Sequence, residues 1–523
     1  MSALEDTSRP FVKVIVIGAG VSGLAMGCQL RRQLKCDDFV IYDRAAEAGG
    51  TWAANHYPGC GVDIPAVFYS LSFAPNPDFS KLFPKQPEIL NYLHQVIEKN
   101  DLARHFVGNV QWETAAWNEA TSTWLVTLRD MHSNRVFEHE CKVLISAVGG
   151  LSVPNEFRMK GMESFTGDIV HTARWNKDLS LKGKHVVVIG NGSSASQLVP
   201  SIVDEAKTVT QFIRTPQHYV PSQNRLIGPN MRTLFRYVPG LLWLFRMLIF
   251  LYLETAGAQF NRTAEGAAMR AAAMERCKQY IQENAPEEYW PLLVPSYDFG
   301  CKRRVFDSEN YIASLQCKNV FLTDDPITAL ESDCVVTRSG KRLPADVIVL
   351  ATGFALTQFD VPLQGLNGQT RASHWKQTGS KSAFKTVAMA GFPNFFYILG
   401  PHAGRGHTST ILTIENFIHL ILRAIKPVLS GRAESVEISD ASDRKFHTDI
   451  LVALEKTVFS GGCSSWYIDS QTGRNWFIYP WSSFGMWYST HVEGMEDWVY
   501  RTEEKYWIVR LGARLCLSGF DRR

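Results

Sequence analysis

The chain has no Cys-x-x-Cys pair, although its 523 residues include ten cysteines, at positions 28, 36, 60, 141, 277, 301, 317, 334, 463 and 516. That spacing leaves a zinc site or a thiol–disulfide redox centre without support and predicts unpaired thiols in a reducing, cytoplasmic setting. No apolar leader is expected, because Glu5, Asp6 and Arg9 stand where its h-region would lie. An excess of charge of one sign is also missing: 54 basic side chains face 51 acidic ones, which gives no field for a nucleic-acid partner. The most membrane-like stretch, Val238 to Leu253, is short for a bilayer span and carries Arg246. A buried or lid helix is expected there, with peripheral membrane contact through 238–253 as the alternative. At 45% hydrophobic residues, a chain of this length can bury a large core without disulfide staples.

One α/β pattern is present twice. In the first, the apolar run Val12 to Ile17 meets Gly18-Ala19-Gly20-Val21-Ser22-Gly23, an amphipathic helix follows, and a second run ends at Asp43. Gly18 permits a tight strand-to-helix turn, Gly20 lets a pyrophosphate approach the backbone, and Gly23 lets helix and strand pack closely. The free N–H groups at the helix start attract phosphate, and Asp43, 20 residues after Gly23, can bind ribose hydroxyls.

In the second, His185 to Ile189 meets Gly190-Asn191-Gly192-Ser193-Ser194-Ala195, with Ala195 in the third glycine position. Its next strand, Val209 to Ile213, ends in Arg214, which favours a 2′-phosphate and hence NADP over NAD. Two such turns predict two dinucleotides. Ser146-Ala147-Val148-Gly149 and a run ending in Ala351-Thr352-Gly353 mark the crossings between two Rossmann-like halves. The expected fold is α/β, with an FAD-binding part (1–150), an NADP-binding part (151–219), a helical insertion (220–299), the rest of the NADP part (300–350) and the rest of the FAD part (351–523). NADPH could then pass a hydride to a flavin beside it.

The sequence resembles the Baeyer–Villiger monooxygenases over almost its whole length. Phe165-x-Gly167-x3-His171-x3-Trp175 is similar to the family fingerprint, with Asn176 where the family has Pro or Asp. Gly49-Gly50-Thr51-Trp52, Asn55 to Gly59, Gly300-Cys301-Lys302-Arg303 and Ser465-Trp466-Tyr467 extend the likeness, and Pro58 to Asp63 is most similar to fungal members of secondary metabolism. The resemblance implies FAD and NADPH as cofactors, and oxygenation of a ketone to an ester or lactone through a C4a-peroxyflavin. It assigns Arg303 as the active-site cation and Asp63 as the carboxylate that orients it. Gly50, Thr51, Trp52 and Asn55 would border the flavin. Lys302 would join Arg214 at the 2′-phosphate, with Ser193 at the second glycine turn and Trp466 at the nicotinamide-side ribose. His171 and Trp175, with Phe165 and Gly167, would organise the linker between the domains.

An N- or S-oxygenating flavin monooxygenase is the alternative. Arg303 and Asp63 discriminate, since attack on a carbonyl needs an anionic oxygen nucleophile beside a fixed cation, whereas heteroatom oxygenation does not. A disulfide reductase shares the two-dinucleotide plan but needs a redox cysteine pair after a glycine turn.

Overall fold

Both glycine turns join a buried strand to a helix start. Residues 10–460, 462, 463 and 465–502 of the computed structural model are described; Glu5, Asp6, Arg9 and Cys516 lie outside them. Strand β1 (Phe11–Ile17) leads into α1 (Val21–Leu34), then β2 (Phe39–Tyr42) and the short β3 (Phe106–Val107). An antiparallel meander follows: β4 (Val110–Asn118), β5 (Thr123–Asp130) and β6 (Val136–Ser146). β6 returns beside β1 in parallel, with Ile17 opposite Ser146, so the first crossing leaves the sheet next to the first glycine turn.

The second unit contains β7 (Asp168–His171), β8 (His185–Ile189), α2 (Ser193–Ile202) and β9 (Thr208–Phe212). Three helices then intervene: α3 (Pro229–Tyr237), α4 (Leu241–Thr255) and α5 (Ala264–Asn284), the last capped by the Thr263 side chain on Gly266 N–H. β10 (Val320–Thr323) and β11 (Val347–Leu350) complete a five-stranded parallel sheet, order β10-β9-β8-β11-β7. The chain then returns to the first sheet through β12 (Leu363–Gln364) and β13 (Phe395–Tyr397), giving eight strands in the path β12-β4-β5-β6-β1-β2-β3 with β13 on β6. Helix α6 (Thr410–Leu429) buries its apolar face on α1, and α7 (Ser483–His491) follows.

The buried form of the helix expected at 238–253 fails, and so does the expectation that every thiol is unpaired. Residues 238–253 do not form a buried helix: Leu242 alone is buried in α4, while Trp243, Leu244, Leu248, Leu251 and Tyr252 are exposed. Arg246 is the reason the face can be so apolar. It turns inward, where it donates to the Val67 and Ser70 carbonyls and the Ser70 hydroxyl. Nor do all the cysteines stay unpaired. Cys301 and Cys463 form a disulfide with Cα atoms 6.0 Å apart, 162 residues apart in sequence. Tertiary packing of two loops makes this pair, and local spacing carries no trace of it.

Candidate active site

The cradle for each dinucleotide is defined by what a side chain would strike. Gly18 has φ +108°, and a Cβ there would lie 2.5 Å from the Ala147 carbonyl; Gly190 has φ +120°, and its Cβ would lie 2.4 Å from the Ala351 carbonyl. Each turn therefore presses on the end of the neighbouring crossing strand, and the two units repeat one device. Gly20 and Gly50 face each other, a Cβ on Gly50 lying 2.6 Å from Gly20 Cα. Gly20 and Gly192 are the N-caps of α1 and α2, leaving Gly23 in the first turn of α1, and Ser193 and Ala195 in the first turn of α2, among free N–H donors. Asp43 accepts from Ala19 N–H at 2.6 Å and Ala45 N–H at 2.8 Å, so its carboxylate stands at the mouth of the first turn.

Beyond the turn, Gly50 is the N-cap of the short helix Thr51–Ala54. Trp52 is buried there and donates to the Tyr69 hydroxyl at 3.3 Å. Asn55 donates its side-chain amide N–H to the Thr51 and Leu151 carbonyls, while its side-chain oxygen Oδ1 is buried with no partner among the described residues. An orphaned acceptor costs stability unless a ligand donor meets it. With the paired glycines and Asp43, it fits an FAD whose isoalloxazine offers an N–H.

Asp63 and Arg303 meet although 240 residues separate them, with Nη2 to Oδ2 at 2.6 Å. The Asp63 carboxylate holds the Arg303 guanidinium above its already high ordinary pKa, against the cost of burial, so this group stays cationic. Almost half of the Arg303 side-chain surface, 45%, remains open. Lys302 lies over the Tyr297 ring at 4.7 Å. Partial burial and the nearby Arg214 charge push its ammonium down. Two like charges held this close, with Arg214 exposed, suit a doubly charged phosphate and fit NADPH.

The fingerprint residues lie at the junction of the units. His171 is buried; its Nδ1 accepts from Ala173 N–H at 3.0 Å and Nε2 donates to the Gly353 carbonyl at 3.1 Å. Burial lowers its pKa, so both contacts belong to the neutral ring. Trp175 is buried, and its carbonyl accepts from His56 Nε2 at 3.0 Å, tying the fingerprint to the segment after Trp52. Phe165 packs in the core of the second sheet, and a Cβ at Gly167 would meet the Asp346 carbonyl at 2.3 Å. Trp466 is partly exposed, packed on Tyr467 and Phe477 at ring distances of 4.6 and 4.4 Å, on the loop whose Cys463 joins Cys301.

Three groups carry more than their sequence suggested. Gln197 of α2 accepts from the Tyr57 hydroxyl at 2.8 Å and donates to the Gly61 carbonyl at 3.1 Å, binding the second unit to the first. A glutamine on an amphipathic helix gives no signal of this. Arg304, beside Arg303, is committed to structure: it donates to the Gly406 carbonyl and lies over Phe260 at 5.7 Å and Phe306 at 4.9 Å. Burial pushes it down to about 10. Glu254, at the end of α4, accepts from Ser483 N–H and hydroxyl at 2.7 and 2.6 Å and meets His407 at 3.2 Å. Although burial raises it, those hydrogen bonds and the Arg405 charge bring its carboxyl down to about 2.

Residues 16–85 match the NAD(P)-binding Rossmann-like domain model. Over 90% of this chain and 87% of its own length, a Baeyer–Villiger monooxygenase of Pseudomonas aeruginosa is 33% identical. The chain belongs to the Baeyer–Villiger monooxygenase family. An FAD-binding monooxygenase, ktnD, of Aspergillus niger is 32% identical over 87% of this chain and 76% of its own. The NADP+-bound crystal structure of cyclohexanone monooxygenase from Rhodococcus sp. Phi1 has the same fold, with a TM-score of 0.82 and 24% identity over 95% of this chain and all of that one. As a member of this Baeyer–Villiger family, the protein is a flavin monooxygenase that uses FAD and NADPH.

Proposed function

We propose that this Baeyer–Villiger monooxygenase inserts oxygen beside the carbonyl of a ketone from secondary metabolism, giving an ester or lactone, and that it works in the cytoplasm with membrane contact through 238–253. The observation that carries the chemistry is the Arg303–Asp63 pair at 2.6 Å. The residues around the first glycine turn would hold FAD, which when bound would supply electrons taken from NADPH for the activation of dioxygen. Arg303 holds the negative charge that develops on the attacking oxygen and on the tetrahedral adduct. Asp63 keeps its guanidinium aimed, and the orphaned Asn55 Oδ1 would accept from a bound flavin N–H. Arg214 and Lys302 select NADPH. The fingerprint, from Phe165 to Trp175, couples NADPH binding to the junction of the units. Residues 1–150 and 351–523 hold FAD, 151–219 and 300–350 hold NADPH, and 220–299 is the insertion.

The test supplies purified holoenzyme with NADPH, isotopically labelled dioxygen and panels of ketones, amines and sulfides. Labelled ester from a ketone, coupled to NADPH consumption, is the expected result. Labelled N- or S-oxides without any ester would replace this reading with heteroatom oxygenation.

A further inference from the structure

Helix α4 has one face bonded to the protein and one face with nothing described upon it. Of the run Leu241–Phe260, long and apolar enough to cross a bilayer, 11% of the most apolar window is buried. It cannot act as a span, because Arg246 and Glu254 fix its inner side to the fold. A helix held this way can only lie in the plane of an interface.

The apolar face continues onto both neighbours. Phe235 of α3 meets Phe245 at a ring distance of 5.3 Å, and Phe484 of α7 meets Phe250 at 5.0 Å. Those flanking helices expose Leu234 and Tyr237 on one side and Phe484, Trp487 and Tyr488 on the other. On α4 the most open side chains are Trp243 at 64% and Tyr252 at 77%. Amphipathic rings at the edges of an aliphatic stripe are what the headgroup level of a bilayer accommodates. These side chains lie on helices that pack on one another, unlike the scattered single apolar residues of an ordinary surface.

Charge selects the occupant. From Ala206 to Leu253 there is no Asp or Glu, while Arg225, Arg232 and Arg236 precede or lie within α3. Arg236 is committed to Asp78. Arg225 is exposed beside Leu226, itself 76% open, and its guanidinium donates to the neutral Gln223 side chain. Two copies of this face would bring arginines together, whereas phosphate headgroups would attract them.

We infer that the α3–α4–α7 face docks on the surface of an anionic phospholipid bilayer. This names the partner for the membrane contact proposed above and rests on that reading; it does not depend on the ketone chemistry. The same helix packs on the segment that follows Asp63, through Phe68 on Phe250, and Phe260 just past it lies under Arg304.

The test is co-sedimentation of the full-length holoenzyme with phosphatidylcholine vesicles, with and without phosphatidylglycerol, across a salt series. Binding is expected with phosphatidylglycerol and should weaken as salt rises. Leu244→Glu/Leu248→Glu should lower it by at least about tenfold. Arg225→Gln/Arg232→Gln should lower it on the order of fivefold per arginine. FAD content and NADPH oxidation in vesicle-free solution should stay unchanged in both variants, which separates loss of docking from misfolding and from failure of the enzymatic reading. Absence of binding, because a second copy or residues 503–523 cover the face, overturns the inference. Binding indifferent to phosphatidylglycerol or to both double variants also overturns it.

Discussion

At the scale of single residues, the site divides into cations that meet a carboxylate and cations that meet each other. Arg303 is oriented by Asp63, so its charge has a fixed direction. Arg303→Ala should keep FAD and be reduced by NADPH, while ester formation falls about 10²–10³-fold, the usual cost of one preorganised charge donor. Comparing NADPH consumption with ester yield checks this, and normal ester formation would remove Arg303 from its role. Arg214 and Lys302 instead repel each other, with no described acid between them. Arg214→Ala should weaken NADPH far more than NADH, because one arm of a phosphate clamp is lost while the nicotinamide contacts remain. Titrating both nucleotides against the oxidised enzyme reads this out; an unchanged preference would assign the 2′-phosphate to another group.

At the scale of elements, the second glycine turn yields a contrast between two substitutions. Gly190 combines φ +120° with a Cβ position 2.4 Å from a backbone carbonyl, so Gly190→Ala should lower stability by roughly 1–3 kcal/mol even without ligand. Gly192 has extended φ −80° and nothing within 4 Å of its Cβ position. Gly192→Ala should therefore leave the melting temperature of NADPH-free enzyme unchanged and still impair NADPH binding, since the methyl group projects where a pyrophosphate would approach. Thermal denaturation with and without NADPH separates the two. These turns were legible in the sequence because strand, glycines and helix are contiguous, and so was the helical character of the 220–299 insertion, which holds α3, α4 and α5. The exposure of α4 was not legible, because an apolar run looks alike whether it packs inward or outward. Only the tertiary partners of Arg246 decide which side faces the protein. The Cys301–Cys463 pair and the Gln197 bridge were hidden for the same reason, being contacts between distant segments.

At the scale of the whole molecule, buried titratable groups fix the direction of the pH response. His402 and His491 are pushed down to about 4, by burial and then by a neighbouring histidine. Burial also lowers His139, His171, His218, His407, His419 and His447. An unfolded histidine titrates near 6.5, so below that pH the unfolded chain takes up protons that the folded one refuses. Stability present above pH ~6.5 is then lost as pH falls toward ~4. Glu254, held down to about 2, adds a second loss at lower pH, between about 4.5 and about 2. Asp307, Glu415 and Glu437 work in the opposite sense, because burial raises them and protonation relieves it. Eight histidines outweigh three carboxyls in the upper part of that range. The melting temperature of the holoenzyme should therefore fall monotonically from pH 7 to pH 5, with His402→Asn flattening the slope. A flat or rising profile across that window would mean that the buried histidines carry protons in the folded enzyme, contrary to their surroundings.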